Sequence, residues 1–380
     1  MRIAVLELYE HLEVVAYLVR VLEACGGEVD VFAAGEGSVT ATLPRVVEPV
    51  NLRWGRAAAV RALLPRLADY DLVINVTTMV EVAPFFALAP LPTPKVTLVH
   101  NARWLLDERL TWQPPRPSAL LRRVKWTLGG ELSARRSVAA AFDGLVFPSA
   151  DVAERFATTF DGPAVGVPWA VWSSHAAPAV DPAERVRRRE IVVPGTVLPR
   201  QRDYRLLARA VAALPGEIGP VVVHVLGKAS GGAANAALQE VSRHLRPGDQ
   251  LVSYADPVPG GDYAAAWRRA AAIVSLTGDQ LPFATTYEGG GVSKVTGVEN
   301  DQIRFARSLI LPSAYRGQTV LHGWQRTFRD AAGLTELLAA ELTNAAPPAA
   351  PPPPSLGLGA HATVWGSFLA AVIARARERY

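Results

Sequence analysis

The segment from 287 to 312, YEGGGVSKVTGVENDQIRFARSLILP, brings together residue types that bind phosphate and sugar hydroxyls. Glycines let a backbone approach an anion closely, because no Cβ stands in the way. The N–H groups of a helix beginning at Gly297 would attract phosphate oxygens, and carboxylates accept hydrogen bonds from ribose or sugar hydroxyls. The segment therefore predicts either a nucleoside-diphosphate site or a glycine-rich turn before an ordinary helix. The candidate residues are Glu288, Gly290, Gly291, Ser293, Lys294, Thr296, Gly297, Glu299 and Asp301.

A second group of residues that could do chemistry follows the first apolar run of the chain. Glu7, Glu10, His11 and Glu13 lie in the stretch ELYEHLE, which contains no glycine. A dinucleotide-binding loop would need the pattern G-x-G-x-x-G here, so a pyrophosphate would meet side chains instead of backbone. Carboxylates and a histidine are better suited to hydroxyl binding or proton transfer. We therefore expect hydroxyl binding or proton transfer in the first half of the chain and nucleotide binding in the second.

We expect parallel β-sheets to position these residues. Short β-branched apolar runs, which predict strands, alternate with helical patterns along the chain. A strand, a helix and a strand in close succession are typical of a right-handed βαβ unit. Two series of five such runs predict two Rossmann-like, doubly wound α/β domains facing a cleft, with ligands at the carboxyl ends of the strands. The predicted strands are 2–8, 28–35, 70–76, 95–100 and 143–149, then 190–195, 220–227, 250–256, 271–277 and 308–313.

The predicted domain boundaries follow from these two series. Residues 1–172 form an N-terminal Rossmann-like domain, 173–188 a linker, and 189–344 a C-terminal Rossmann-like domain that we expect to bind the nucleotide. The last part, 345–380, is a proline-rich tether followed by an amphipathic helix, because AAPPAAPPPP cannot continue a helix. We expect this helix to cross back onto the first domain; a simple C-terminal cap is the alternative.

Composition excludes several classes of protein. At 380 residues the chain can form two domains with separate cores. No apolar run reaches the roughly 18 residues that span a bilayer, and the N-terminus lacks the pattern of a signal peptide, so we expect a cytoplasmic protein. The single cysteine, Cys25, excludes an internal disulfide and a thiolate zinc cluster.

One stretch, 116–136, concentrates positive charge in a chain whose formal charge is only +4. It reads RPSALLRRVKWTLGGELSARR and interleaves Leu and Trp with the basic residues. Such a pattern is most often a solvated helix face, and it is also typical of a patch that contacts anionic lipid, an acidic substrate or nucleic acid. No nucleic-acid motif accompanies it. A peripheral membrane contact through 116–136 therefore stays open, and no nucleic-acid partner is expected.

Several segments together resemble a known family of sugar transferases. The sequence resembles the GT-B glycosyltransferases, and is most similar to the bacterial group 1 family that includes glycogen and sucrose synthases. The resemblance covers almost the whole length. The segments that carry it are DGLVFPSADVAERF, VGVPWAVW, VVPGTVLPRQRDYRLLARAV, VVVHVLGKASGG, SYADPVP and the segment at 287–312.

The resemblance implies transfer of a sugar from an NDP-sugar, with UDP favoured, to a small-molecule or lipid-linked acceptor. It implies no cofactor and no bound metal, and no Asp-x-Asp pair stands at the end of a strand. His100 matches the histidine that retaining members hold near the donor sugar, and His11 matches the catalytic histidine of inverting members. Glu288 is the third catalytic candidate. The residues that the matching segments add for the donor are Gly195, Arg200, Arg202, Gly227 and Val258, and those expected to bind the acceptor are Glu7, Glu10, Asn101, Arg103 and Trp104. The resemblance thus implies an acceptor-binding domain at 1–172 and a nucleotide-sugar-binding domain at 189–344.

Two other functions remain open from the sequence. The first is an NDP-sugar epimerase or hydrolase on the same fold. The second is a non-catalytic nucleotide-sugar binding protein, which the spacing of the glutamates favours. The family usually places two glutamates seven residues apart, and counting from Glu288 that position falls near Thr296, whereas Glu299 and Asp301 come later.

Overall fold

The computed structural model of the chain describes residues 1–9, 11–34, 46–79, 81–114, 117–172, 180–343 and 352–379. The chain divides into two compact units. The first unit consists of Met1–Val171, Pro282–Val295 and Pro354–Tyr380. The second unit consists of Trp172–Leu281 and Thr296–Pro353. Each unit is therefore assembled from separate stretches of sequence.

Strands and helices alternate along most of the described residues. The strands are β1 (Arg2–Glu7), β2 (Glu28–Ala33), β3 (Val46–Pro49), β4 (Leu72–Asn75), β5 (Lys95–Leu98), β6 (Gly144–Phe147), β7 (Ala164–Gly166), β8 (Glu190–Pro194), β9 (Val222–Lys228), β10 (Gln250–Tyr254), β11 (Ala272–Ile273), β12 (Gln280–Phe283), β13 (Thr286–Gly289), β14 (Leu309–Pro312) and β15 (Gln325–Phe328). The helices are α1 (Leu12–Ala24), α2 (Arg56–Leu67), α3 (Ala83–Leu88), α4 (Ala102–Leu106), α5 (Pro117–Leu128), α6 (Glu131–Ala140), α7 (Ala150–Phe156), α8 (Pro182–Arg188), α9 (Tyr204–Ala212), α10 (Gly232–His244), α11 (Gly260–Arg269), α12 (Gly297–Phe305), α13 (Ala331–Thr343) and α14 (Leu358–Arg379).

The first unit is built on a seven-stranded parallel sheet in the order β3-β2-β1-β4-β5-β6-β7. Successive side chains of a strand point to opposite faces, and in β1 Ala4 and Leu6 enter one apolar cluster while Ile3 and Val5 enter the other. Both faces are therefore buried, as the continuous apolar runs predicted. The edge strands β3 and β7 were not predicted from the sequence.

The C-terminal helix α14 packs on α1 in the first unit. Trp365 Nε1 donates to the Tyr17 hydroxyl at 3.0 Å, and that hydroxyl lies 2.9 Å from His361 Nδ1. All three side chains are buried, and burial lowers the pKa of His361 to about 4. The predicted return of the last helix to the first domain is confirmed. The predicted tether lies for the most part outside the described residues.

The second unit has a smaller parallel sheet in the order β10-β9-β8-β11. A bridge between Val274 and Ile310 leads from β11 towards the parallel pair β14 and β15. Helix α9 begins where Asp203 accepts a hydrogen bond from the Leu206 N–H at 2.9 Å, and its apolar side packs on this sheet. In the described parts of both units, no helix is long and apolar enough to cross a membrane.

Candidate active site

Two histidines meet at one edge of the first sheet. His11 follows β1 and His100 follows β5, and β4 lies between these two strands. The carboxyl ends of parallel strands share one edge, and the two imidazole rings stack there with centroids 4.4 Å apart and planes 21° apart. The sequence offered the two histidines as alternatives. In the structure they form one group.

Glu13 sets the protonation state of His11. His11 Nδ1 lies 3.4 Å from Glu13 Oε1, and because a carboxylate only accepts, Nδ1 carries the proton and Nε2 is left as the basic atom. Burial by itself lowers the pKa of His11, but the hydrogen bond and charge of Glu13 and the charge of Glu7 outweigh it and leave the pKa above 6.5. The arrangement is that of a base oriented by a carboxylate.

His100 is held in the neutral form. Its Nε2–H donates to the carbonyl oxygen of Val76 at 2.8 Å, which fixes the tautomer because a carbonyl cannot donate. Burial, followed by the positive charges of His11 and Lys294, holds the pKa of His100 well below 6.5. The ring of Trp169 lies 4.3 Å from the His100 ring on a tilted plane. Because His100 is neutral, its ring can stack on a protonated His11 without repulsion between like charges.

Two buried polar atoms beside His100 have no hydrogen-bond partner among the described residues. They are Trp169 Nε1, a donor, and Asn101 Oδ1, an acceptor, and their residues are 5% and 4% exposed. Buried polar atoms are normally paired, so such exceptions call for an explanation, and a bound ligand is one. Trp169 was not predicted as a site residue. Its segment, VGVPWAVW, pointed to it only through the family resemblance.

Glu7 lies under this group at the end of β1. It is fully buried, and it accepts hydrogen bonds from the Thr77 hydroxyl at 2.6 Å and from the Tyr9 N–H at 2.5 Å. Burial raises the pKa of Glu7 above 4.5, against the opposing hydrogen bond from Thr77. Both carboxylate oxygens accept hydrogen bonds from groups of the protein, so Glu7 stabilises the loop that follows β1. Glu10, the other predicted carboxylate, lies outside the described residues.

Glu288 ties its segment to the start of α4. The fully buried carboxylate accepts hydrogen bonds from the Trp104 N–H at 2.7 Å, the Arg103 N–H at 3.2 Å and the Ser293 hydroxyl at 2.5 Å. Burial raises the pKa of Glu288 from 4.5 to about 7, although these donors oppose the shift. The sequence assigned Glu288 and Ser293 to the second domain, whereas these contacts lie within the first unit.

Gly290 and Gly291 form the tight turn that carries Lys294. Gly291 has φ +69, a value that favours glycine, and its N–H donates to the Lys294 carbonyl oxygen at 2.8 Å. The Lys294 ammonium lies 5.3 Å from the centre of the Phe283 ring, and burial lowers the pKa of Lys294 against the charge of Glu288. The turn thus positions a desolvated cation whose charge acts on both histidines.

The predicted role of Trp104 in acceptor binding does not fit its packing. Trp104 is 2% exposed and lies between Trp126 and Phe283, with ring centroids 5.5 and 6.0 Å away. Neither face is open to a sugar. Arg103 is directed elsewhere, since its Nη1 donates to the Tyr287 carbonyl at 3.4 Å and its Nε lies 3.9 Å from Asp107.

In the second unit, the predicted basic turn follows β8. Arg202 Nη1 donates to the Thr196 carbonyl, and its Nε is buried without a partner among the described residues. Gly195 has φ +91, and a Cβ there would overlap the Arg202 guanidinium. A Cβ on Gly227 would overlap the carbonyl of Gly195 in the same way. The two glycines therefore allow Arg202 and the neighbouring backbone to approach closely.

A cavity of about 860 Å³ lies beside this turn, against one side of α10. The exposed Arg200 lines it, and burial lowers the pKa of Arg202, which also borders it. The remaining charged lining consists of Arg205, Arg243, Asp203 and Glu240, so that four arginines face two carboxylates. The cavity is thus predominantly basic, which suits an anionic ligand.

Helix α12 begins at Gly297, as predicted, with Thr296 as its N-cap residue. The Thr296 N–H donates to the Tyr315 hydroxyl at 3.2 Å, and a Cβ on Gly297 would meet no atom within 4 Å, so the backbone at this helix start is open. Val258 lies outside this helix start and packs, partly buried, against the apolar cluster around Trp267.

The predicted ribose carboxylates of α12 are occupied by protein donors. Glu299 is fully buried and accepts hydrogen bonds from the Tyr315 hydroxyl at 2.6 Å, the Gln318 N–H at 2.9 Å and Gln325 Nε2 at 3.0 Å. Burial raises the pKa of Glu299, and these donors oppose the shift. Asp301 accepts from the Tyr263 hydroxyl at 2.6 Å. The role of Glu299 as a free ribose ligand is therefore corrected to that of a structural carboxylate.

Solved structures with the same architecture cover nearly the full chain. The HepE protein of Anabaena, in complex with UDP, matches with a TM-score of 0.56 at 12% identity, over 100% of this chain and 98% of its own. AviGT4, a glycosyltransferase involved in avilamycin A biosynthesis, matches with a TM-score of 0.55 at 14% identity over 98% of each chain. The chain has the GT-B fold.

The GT-B fold is shared by enzymes of more than one activity. A putative UDP-N-acetylglucosamine 2-epimerase from Listeria monocytogenes matches with a TM-score of 0.56 at 13% identity, over 96% of this chain and 94% of its own. No protein-family description and no curated protein matches the sequence. The predicted GT-B resemblance and the predicted two-domain α/β class are confirmed as a likeness of fold.

No metal-binding cluster accompanies the GT-B fold in the described residues. Groups of three or more His, Cys, Asp or Glu side chains with the arrangement of a metal site are absent from that part of the chain. Groups there that could meet an anionic ligand include Arg202, Lys228, Lys294 and the open backbone at the start of α12.

Proposed function

We propose that the protein is a glycosyltransferase that moves a sugar from an NDP-sugar, with UDP favoured, to a small-molecule or lipid-linked acceptor without a bound metal. The observation that carries the proposal is the group of His11, Glu13 and neutral His100 at the carboxyl edge of the first sheet. It supplies the oriented base that an acceptor hydroxyl needs. The GT-B fold supports the proposal, since AviGT4 is a glycosyltransferase and HepE is in complex with UDP.

In this proposal His11 Nε2 takes the proton of the acceptor hydroxyl while Glu13 holds Nδ1–H. The acceptor oxygen forms a bond to the anomeric carbon, the bond from that carbon to the diphosphate oxygen breaks, and the nucleoside diphosphate leaves with the electron pair. A single displacement of this kind inverts the anomeric configuration. Asn101 Oδ1 and Trp169 Nε1, the two unpaired atoms beside His100, are the acceptor-binding groups we propose.

The proposed donor residues must stabilise the charge that develops on the leaving diphosphate. In the second unit these are Arg202, the glycine-bordered turn around it, and the open backbone at Gly297. Lys294 belongs to the first unit, where its charge acts on His11 and His100, and we assign it to that histidine group. Arg200 adds positive charge at the mouth of the basic cavity.

A thermal-shift screen against UDP, GDP, ADP and TDP tests the donor assignment, because a nucleotide that binds the folded state raises Tm by mass action. We expect the largest rise with UDP. Arg202→Ala should abolish most of that rise, and Arg209→Ala, a matched change at an exposed arginine of α9 that does not line the cavity, should not. Equal rises for wild type and Arg202→Ala would contradict the site.

Turnover tests the reaction itself. With a panel of UDP-sugars and acceptors, UDP release should require an acceptor, and both His11→Ala and Lys294→Ala should lower kcat by about 100-fold or more. Unchanged turnover in both variants would remove these residues from the proposal. NMR of the product gives the anomeric configuration and so decides whether His11 acts in a single displacement.

A UDP-sugar epimerase is the second candidate. The observation that favours it is the Listeria relative, whose TM-score equals that of HepE. Such a reaction moves a proton at a sugar carbon, and the His11–Glu13 pair is equally suited to that step. Conversion of a UDP-sugar to its epimer without any acceptor would establish this candidate and exclude glycosyl transfer as the main activity. If the protein binds UDP but catalyses neither reaction, the remaining function is that of a non-catalytic nucleotide-sugar binding protein.

A further inference from the structure

Helix α5 presents its apolar residues on the side that faces away from the protein. Leu120, Leu121, Val124 and Leu128 are 53%, 72%, 48% and 82% exposed. At about 100° per residue these four side chains fall within one arc of about 100°. Together with Trp112 they are five of the ten large apolar side chains that are exposed in the described residues. The apolar surface is therefore concentrated on one helix face.

The buried side of α5 is elsewhere. Trp126 is the residue of α5 that packs inward, against Trp104 with ring centroids 5.5 Å apart. Its direction is roughly 180° from the middle of the apolar arc at the same helical period. In an ordinary surface helix the apolar stripe faces the core. Packing in the core explains why residue 126 is apolar. It does not explain the four exposed aliphatic residues on the opposite side of the helix.

The charges carried by α5 itself are all positive, and the first acidic residue after the helix is Glu131, which interacts with Lys125. Lys125 and Arg122 follow the arc on one side, and Arg123 borders it on the other, with its guanidinium 4.6 Å from the centre of the Trp112 ring. No Asp or Glu occurs between 117 and 130. An exposed apolar stripe bordered by Lys and Arg, with a tryptophan at its edge, is the composition of helices that lie in the headgroup region of anionic membranes.

We propose that α5, with Trp112 at its edge, docks on the surface of an anionic phospholipid bilayer. The arc of Leu120, Leu121, Val124 and Leu128 enters the boundary between headgroups and acyl chains, and the exposed Lys125 and Arg122 contact lipid phosphates. A helix of 12 residues is about 18 Å long, shorter than the roughly 30 Å of bilayer hydrocarbon, so it lies in the surface and does not span it. The proposal is independent of the reaction that the protein catalyses.

Co-sedimentation of the whole chain with vesicles tests this surface. The probes are vesicles of phosphatidylcholine alone and vesicles in which about a third of the lipid is phosphatidylglycerol. We expect binding to the anionic vesicles to exceed binding to the neutral vesicles by about tenfold or more, and to weaken with added salt, because the charge contribution is screened. Equal binding to both kinds of vesicle, or none to either, overturns the proposal.

Matched substitutions separate the helix face from general surface effects. Val124→Glu and Val364→Glu change similarly exposed valines, 48% and 40%, on α5 and α14. We expect Val124→Glu to weaken vesicle binding by about fivefold or more and Val364→Glu to leave it unchanged. The double variant Leu121→Glu, Leu128→Glu should abolish it while leaving the melting temperature near that of wild type, since both side chains are exposed. Equal binding by the two valine variants overturns the assignment to α5.

The same double variant distinguishes a lipid surface from a second copy of the chain. Analytical ultracentrifugation without lipid should give one molecular mass for wild type and variant. A concentration-dependent dimer of the wild type that the double variant abolishes, together with no vesicle binding, would show that the face binds another copy and would overturn the membrane proposal.

Discussion

The Glu288 carboxylate accepts a hydrogen bond from the backbone N–H of Trp104 at 2.7 Å, across 184 positions of sequence. The backbone N–H of the preceding residue, Arg103, donates to the other oxygen of the same carboxylate. Helix N-termini have N–H groups without partners in their own helix, and here a carboxylate from a distant segment supplies them. This pair of contacts holds the glycine turn and Lys294 against the first sheet.

Glu288→Ala should destabilise the protein. Two backbone N–H groups and the Ser293 hydroxyl would lose their acceptor in a fully buried position, and we expect the free energy of unfolding to fall by about 2–4 kcal/mol. Urea unfolding measures the change. Glu336→Ala removes an exposed carboxylate of α13 and should change it by less than about 0.5 kcal/mol. A similar loss in both variants would contradict the importance of the contact.

Glu288 should also make stability depend on pH. Its pKa is raised from 4.5 to about 7 in the folded protein, so the folded state holds a proton that the unfolded state releases between these values. The stability from this proton is present below pH 4.5 and is lost as pH rises through about 7, by about 3 kcal/mol at most. Unfolding of Glu288→Gln, which cannot titrate, should lack this decline. If the free energy of unfolding changed with pH in the same way in wild type and in Glu288→Gln, this prediction would be refuted.

Glu13→Gln should move the pH dependence of turnover. Glu13 helps hold the pKa of His11 above 6.5, so without its charge His11 loses its proton at lower pH. If His11 is the base, the acid limb of the kcat/KM profile shifts to lower pH and the maximum rate falls, because Nδ1 is no longer oriented. Glu23→Gln changes an exposed carboxylate at the other end of α1 and should leave the profile in place.

Gly195→Ala should disturb the basic turn. Gly195 has φ +91, where alanine is strained, and the added Cβ would displace the Arg202 guanidinium. We expect a loss of about 1–2 kcal/mol in the free energy of unfolding and weaker UDP binding by calorimetry. At Gly232, the first residue of α10, an added Cβ meets no atom within 4 Å, so Gly232→Ala should have neither effect. Unaltered UDP affinity in Gly195→Ala would argue against Arg202 as a donor residue.

Much of the fold could be predicted from the sequence, because buried parallel strands are continuous apolar runs. The run at 190–195 became β8 and the run at 2–8 became β1. The predicted strand at 271–277 is regular only over Ala272–Ile273, and Val274 and Thr277 continue it only as isolated bridges to Ile310 and Arg202. The short strand Ala164–Gly166 has too few residues for a pattern to stand out, and pairing with β6 alone defines it.

The site was less predictable, because local patterns do not contain the order of strands in a sheet. His11 and His100 stack only because β1 and β5 are separated by β4 alone. The sequence also does not show which carboxylates already accept hydrogen bonds from other groups of the protein. Glu299 looked available for a ribose, whereas Tyr315 and Gln318, contributed by a later loop, occupy both of its oxygens.

The first unit draws its residues from the beginning, the later middle and the end of the chain, with Trp365 and Val372 of α14 fully buried in one of its apolar clusters. During synthesis, that cluster must wait until α14 has left the ribosome. The second unit, which ends at Pro353, has all of its residues earlier. The nascent chain therefore completes its second unit before its first, and the apolar surface of α1 stays uncovered until translation reaches the last helix.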